Sequence, residues 1–410
     1  MRVGMIAYAY YEGNARVQQY VKALVERGDT VEIFCLSRDW PSASEIAGAK
    51  IHRIQARKRR RESPLRYALS VTLFMLRTFF ILAKQQLQNP YDVIHVHSVP
   101  DALVFSALVP KLAGVPIVLD IHDILPEFYL SKFQAKPASL TFKLLVLVEK
   151  ASIAFSNHVI IANPIWHERL LQRSAGPDKV TTIRNYPDPR AFFPRPERCS
   201  NGKFIMIYPG SLNWHQGLDI AIQAFAKIVG EIPDAEFWIY GEGPERDNLI
   251  QLASSLGVQA KVSFRDFLPV TKLVEVLAGS DLAIVPKRSS SVFGTEAAST
   301  KIMEFMAVGI PVIVSRTKID SLYHDDSMVQ FFDSDDPDNL ARAILHLYKN
   351  PGLRRQLTAN ALAYVAENRW ETKKGEYLAI VDRLVDCSRR RDNTTKRSSG
   401  RGRNGADATQ

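Results

Sequence analysis

The sequence predicts an α/β protein built as two doubly wound parallel-sheet domains in tandem. Three observations carry this. Short, continuously apolar runs such as "FIMIYP", "LAIVP" and "VPIVLDI" alternate with helical stretches, the pattern of strands buried on both faces. The alternation stops at Asn185–Lys203, "NYPDPRAFFPRPERCSNGK", and starts again after it. The length of 410 residues makes two domains the default expectation.

In order, "RVGMIAYAY" reads as a strand, "ARVQQYVKALVERG" as a helix stopped by Gly28, and "TVEIFCL" as a strand. An apolar helix over 65–83 follows, then "YDVIHVH", a helix near 101–113, "VPIVLDIHD", a helix near 140–155, "HVIIAN", a further helix and "VTTIRN". These define a first domain over 1–185. Residues 186–203, rich in Pro and charge, read as a linker. The second domain, 204–368, runs "FIMIYPG", helix 218–229, "AEFWIYG", helix 245–256, "KVSFRDF", helix 271–278, "LAIVP", a helix through "STKIMEFMAVG" and "PVIVS". "RWETKKGEYLAIVDRL" adds a helix within 369–388, and 389–410 reads as a disordered basic tail.

Ligands of doubly wound sheets bind beyond the carboxyl ends of the strands. Those ends here are Tyr8–Gly13, His95–Ser98, His122–Glu127, Gly210–Gly217, Gly241–Pro244 and Lys287–Thr300. They are polar or contain glycine, and they are expected to line a cleft between the domains. His95 and His97 are expected on opposite faces of "VIHVH", with His97, at the strand end, turned to the ligand. His122, Asp123 and Glu127 form the densest polar cluster at a strand end, and Gly13 and Asn14 lie in the first loop.

The net charge of +10 is local. It is accounted for by Arg57–Arg61, "RKRRR", and by the tail from Arg389, which leaves the remainder about neutral and excludes a broadly basic nucleic-acid surface. The three cysteines are far apart, with no Cys-x-x-Cys and no histidine cluster at ligand spacing, so a reducing compartment and no metal site are expected. The acidic run at 324–339 reads as a turn and helix cap. Segment 65–83 contains Arg66 and Arg77 and follows the basic run, which suits a helix packed on the first sheet or lying on an anionic membrane surface, the latter slightly favoured, better than one crossing it.

The segment "GTEAASTKIMEFMAVGIPVIVS" carries the chemistry. Ile302, Phe305 and Met306 form an apolar stripe and Gly309 ends the helix, yet Glu296, Lys301 and Glu304 load its start with charge. A helix N-terminus offers free N–H groups and about half a positive charge to an anion, and Lys301 adds a full one.

"YPGSLNWHQGLDIAIQAF", "IYGEGPERDNL", "VSFRDFLP", the Glu296/Glu304 pair and "EFMAVGIPV" resemble the nucleotide-sugar domain of the retaining GT-B glycosyltransferases of family 4 (group 1). "YDVIHVHSVPDALVF" and "VLDIHDILPEFY" resemble its bacterial polysaccharide-assembly branch, and the match covers residues 1 to about 385. The resemblance implies two Rossmann-like domains facing a cleft, with the helix at 369–388 crossing back to the first. It implies a metal-independent, hexosyltransferase-type enzyme with no cofactor, which moves a sugar from a nucleotide-sugar donor to a lipid-linked or glycan hydroxyl with retention. Cell-surface or exopolysaccharide synthesis is the setting it implies, in the cytoplasm or peripheral on the inner face of the membrane. By resemblance Glu304 holds the ribose, Glu296 the donor sugar, and Ser299, Thr300 and Lys301 the diphosphate. His122 lies near the reacting carbon, and Gly210, Ser211, Gln216, Gly241, Gly243 and Arg265 surround the nucleotide. Gly13, Asn14, His97, Asp123 and Glu127 fall to the acceptor side.

The sequence departs from the family in two places. Phe293 and Gly294 precede Glu296 instead of following it, and the usual Arg and Lys of the phosphate loop after Gly210 are missing. Lys287 and Arg288 are expected to replace them. The alternatives are a nucleotide-sugar epimerase or hydrolase of the same fold, and a non-catalytic sugar-nucleotide-binding partner.

Overall fold

The computed structural model describes residues 1–38, 42–57, 64–133, 136–195 and 202–401. Arg57 is therefore described, but Lys58–Arg61 of the basic run, Cys199 and the tail beyond 401 lie outside the described residues. The chain divides into two compact units, Met1–Arg184 with Lys373–Gln410, and Asn185–Thr372.

Unit 1 contains β1 (Arg2–Tyr10), α1 (Ala15–Glu26), β2 (Thr30–Ser37), β3 (Ser42–Ile46), β4 (Ala49–Ala56), α2 (Pro64–Gln88) and β5 (Val93–His97). After them come α3 (Leu108–Leu112), β6 (Ile117–Ile121), α4 (Leu125–Phe133), α5 (Leu140–Phe155), β7 (His158–Ile161), α6 (Pro164–Arg173) and β8 (Val180–Thr182). The sheet order is β3-β4-β2-β1-β5-β6-β7-β8. Every residue of β5 and β6 is buried, as continuous apolar strands covered on both faces require.

Two features differ from the sequence reading. β3 pairs antiparallel with β4 through a turn at Ala47 (φ 51°) and Gly48 (φ 81°). Two successive left-handed residues make the tight hairpin connection, but Ala-Gly lacks the Asn-Gly or Asp-Gly signature that flags it in sequence. The single helix expected near 101–113 is a 3₁₀ stretch, Asp101–Ala107, followed by the short α3.

Unit 2 contains β9 (Phe204–Pro209), α7 (Leu218–Ile228), β10 (Ala235–Tyr240), α8 (Arg246–Ser255), β11 (Val262–Arg265), α9 (Val270–Ala278), β12 (Leu282–Val285) and α10 (Val292–Glu296). It continues with α11 (Thr300–Val308), β13 (Val312–Ser315), α12 (Lys318–Tyr323), β14 (Gln330–Phe332), α13 (Pro337–Lys349) and α14 (Pro351–Glu367). The parallel order β11-β10-β9-β12-β13-β14 is the doubly wound arrangement, with the order reversing between β9 and β12. Asp336 caps α13 by accepting from the N–H groups of Asp338 (2.8 Å) and Asn339 (2.9 Å), so the acidic run does end as a helix cap. The last helix, α15 (Trp370–Arg401), runs past 388 into the segment that composition alone reads as disordered. Its part from Lys373 belongs to unit 1, where Tyr377 is fully buried.

Candidate active site

The apolar stripe of α11 does what its spacing predicts. Ile302, Phe305 and Met306 are completely buried, and Gly309 closes the helix in the left-handed conformation (φ 89°), which a residue with a Cβ rarely adopts. The opposite side of the same helix therefore turns Lys301 and Glu304 outward together, three residues apart.

They turn into the point where the strand order of unit 2 reverses. The Lys301 stem crosses the backbone turn after β9, where a Cβ on Gly210 would lie 2.3 Å from Lys301 Cε. Its Nζ stands 5.2 Å from the centroid of the Tyr208 ring and 3.4 Å from Gln216 Oε1. The same Gln216 oxygen accepts from the Tyr208 hydroxyl at 3.0 Å, and the carbonyl of the exposed Ser211 accepts from it at 3.1 Å. Gly241 (φ 137°) brings the turn after β10 against the first turn: a Cβ there would come within 1.9 Å of the Gly210 carbonyl oxygen. Gly243 is held equally close to Leu212. These glycines are explained by backbone packed on backbone.

The start of α11 is open. Ser299 occupies the cap position, yet its side chain makes no capping bond and its Oγ is buried without a hydrogen-bond partner. Ser299 therefore satisfies none of the first N–H groups of the helix, which starts beside the exposed Thr300. Glu296, buried, ends α10 just before it.

Burial drives the two charged groups toward neutrality. It pushes the Glu304 carboxyl up to about 7 against the pull of Lys301, and lowers the Lys301 ammonium to about 8 against the pull of Glu304. The Glu304 carboxylate makes no hydrogen bond among the described residues. A desolvated carboxylate and ammonium left so poorly satisfied make this the candidate ligand site. A prediction follows from the signs. A ligand that accepts from Lys301 and donates to Glu304 needs the first protonated and the second ionised. Affinity for a nucleotide sugar, whose diphosphate does not titrate here, is expected to rise with pH through about 7 and to fall above about 8. Calorimetry across this range checks it, and a flat profile contradicts the pairing.

The other expected cations are committed elsewhere. Lys287 is buried in an ion pair with Asp320 (2.7 Å) and donates to the Ala297 carbonyl (2.8 Å). Arg288 pairs with Asp219 and with Asp335 (3.1 Å). The expectation that these two replace the missing phosphate-loop cations is corrected, because their charges are already neutralised. Arg265 donates to the Tyr240 hydroxyl (3.1 Å) and stacks over Trp238, which ties the sheet edge together.

In unit 1, Asp120 organises the strand ends. It is fully buried. Burial alone would raise its carboxyl, but the Arg16 guanidinium, bonded at 2.7 and 2.9 Å, holds it well below the usual carboxylate range with help from His122 and His97. His122 Nε2 lies 2.9 Å and His97 Nδ1 3.1 Å from the same Asp120 oxygen. His95 and His97 share a face with ring centroids 4.1 Å apart, correcting the expectation of opposite faces: residues two apart on a strand point the same way. His97 is fully buried, with its Nε2 facing no hydrogen-bond partner among the described residues, so it is turned away from solvent. His95, His97 and Asp120 are close enough to suit a metal ion, but Arg16 already supplies the positive charge at the carboxylate.

Asn14 caps α1 by accepting from the Val17 N–H (3.2 Å), while nothing lies within 4 Å of a Cβ built on Gly13. Asp123 is half-buried, and burial pushes its carboxyl up. Glu127 is not available to an acceptor. It is buried in a network in which Arg173 bridges it to Glu149 and Arg169 adds a bond at 3.2 Å. Sequence reading missed Asp120 and Arg16, though a carboxylate inside the apolar strand "IVLDI" was the available signal.

Two doubly wound sheets, the second with the charged start of α11 at its switch point, define the architecture of the GT-B glycosyltransferases. Residues 13–186 match the family described as glycosyl transferase 4-like domain, and residues 190–363 match glycosyl transferases group 1. The chain belongs to the group 1 glycosyltransferases of the GT-B fold. It is 25% identical over 390 residues to an uncharacterized glycosyltransferase of Methanocaldococcus jannaschii, covering 90% of this chain and 94% of that one. Among solved structures, sucrose-phosphate synthase of Thermosynechococcus elongatus superposes with a TM-score of 0.75 at 18% identity, over 94% of this chain and 100% of that one. The Anabaena protein HepE in complex with UDP and glucose superposes with a TM-score of 0.67 at 16% identity, over 92% and 99%.

Proposed function

We propose that this glycosyltransferase takes a hexose from a nucleotide-sugar donor held on unit 2 and passes it, with retention, to a hydroxyl of a lipid-linked glycan served by unit 1. The observation that carries the donor half is the Lys301–Glu304 pair beside the uncapped start of α11. As the bond from the anomeric carbon to the phosphate breaks, negative charge grows on the departing oxygens. Lys301 and the helix N–H groups are placed to stabilise charge that develops there, the role a divalent ion plays elsewhere. Glu304, one turn further, is suited to accept from two ribose hydroxyls, and Glu296 from the donor sugar. Binding of UDP and glucose by HepE supports a nucleotide-sugar donor. The free thiols Cys35 and Cys387 fit a reducing compartment and support a cytoplasmic place of action. Synthesis of a cell-surface polysaccharide is the process this reading favours.

The test is Glu304→Ala, which is expected to weaken nucleoside diphosphate binding by about 1.5–3 kcal/mol, the worth of hydrogen bonds to a charged group. Unchanged affinity in a folded variant removes the ribose assignment. The isosteric Glu304→Gln separates binding from folding. A carboxyl held above its unfolded value costs stability as pH rises toward 7 and beyond, so the Gln variant is expected to melt no lower than wild type at pH 8. Transfer assayed with a panel of nucleotide sugars, with and without lipid extract and with a chelator present, checks donor, acceptor and metal independence. The anomeric configuration of the product by NMR checks retention. Donor consumed without a glycosylated product identifies a hydrolase or epimerase instead.

A further inference from the structure

We infer that unit 1 docks in plane on an anionic membrane through a three-helix apolar layer made by the outer sides of α2, α3 and α5. The inference deepens the acceptor half of the proposed reaction, on which its purpose rests.

α2 is long and apolar enough to cross a membrane by length and composition, with a mean hydropathy of 1.5 over an 18-residue window of Leu65–Gln88. Its inner side is nevertheless committed to the domain. Phe74, Thr78 and Leu82 are fully buried. Ser70 Oγ receives the Tyr8 hydroxyl (2.8 Å), and the Met75 carbonyl receives the Ser106 hydroxyl (3.2 Å). A spanning helix would strand these groups, so α2 stays in the fold and offers only its outer side. That side is a run of large apolar residues at helical spacing: Leu65, Leu69, Leu76 and Phe80 are 80%, 68%, 52% and 66% exposed.

The layer does not end there. α2 packs beside α3 and the 101–107 turn, and α5 packs against that same turn. α5 carries its own exposed stripe, Leu140, Leu144 and Leu147, and α3 adds Leu112, all more than half exposed. An isolated exposed leucine needs no explanation, but a contiguous layer of them marks an interaction surface.

Charge names the occupant. The exposed charges on α2 and α5 are Arg66, Arg77, Lys84, Lys143 and Lys150, and the run "RKRRR" immediately precedes α2 in sequence. The one acidic residue on the three helices, Glu149, is buried against Arg173. A two-fold contact with a second copy would set this cationic layer against itself. An anionic bilayer neutralises the cations and buries the leucines at the headgroup boundary.

The full chain is tested by flotation with phosphatidylcholine vesicles and with vesicles containing phosphatidylglycerol. Binding is expected only to the latter at low salt, weakening as ionic strength rises. Leu144→Glu/Leu147→Glu on α5 and Leu69→Glu/Leu76→Glu on α2 are each expected to weaken it by about tenfold or more, with UDP-glucose affinity unchanged. Full binding by the α5 variant overturns the three-helix layer. Failure of the wild type to float overturns docking, and a concentration-dependent dimer in sedimentation then assigns the surface to a second copy. Resistance to carbonate extraction would show that α2 spans. Since nucleotide affinity is read separately, loss of docking and loss of the donor reading are distinguishable.

Discussion

Replacing Lys301 by alanine is expected to lower sugar transfer by about 10²–10³-fold, the usual cost of removing one group that stabilises developing charge. Among the expected donor-side cations, Lys287 and Arg288 are held by acidic partners, so Lys301 stands without a substitute beside the turn after Gly210. The variant is expected to stay folded. Burial already holds this ammonium to about 8, below its ordinary range, so its charge is a burden on the fold that the alanine removes. Steady-state kinetics with matched melting curves checks both halves. A folded variant that turns over at the wild-type rate places the departing phosphate elsewhere.

His122→Ala is expected to keep nucleotide affinity and to lose transfer by about 10²-fold or more, the scale of one positioned acid–base or hydrogen-bonding group. The donor-side groups all belong to the other unit, which is why binding is spared. The fold is spared for a different reason. Asp120 loses one partner but keeps the two bonds from Arg16 and the contact with His97, so no buried charge is left uncompensated. Calorimetry with a nucleoside diphosphate beside a transfer assay separates the two effects. Wild-type transfer by the variant makes His122 a structural companion of Asp120 and nothing more.

How far the site could be read from sequence differs residue by residue. Lys301 and Glu304 were legible because helical period fixes which residues oppose the apolar stripe of Ile302, Phe305 and Met306, and no distant contact alters that. Lys287 and Arg288 were misread for the opposite reason. Their partners Asp320, Asp219 and Asp335 lie 33 to 69 positions away, and nothing local announces them. Glu127 was misassigned in the same way, since Arg169 and Arg173 reach it from another helix, α6.

By itself the sequence determined the two parallel sheets, the charged start of α11 and the apolar length of α2. These follow from period, turn residues and composition, which act over a few residues. Only the tertiary structure decided which charges remain available, that His97 is buried, and that α2 buries one side in the fold while leaving large apolar residues exposed on the other. Burial and ion pairing depend on groups far apart in the chain, and the cost of desolvation is set by whatever the fold brings around each one.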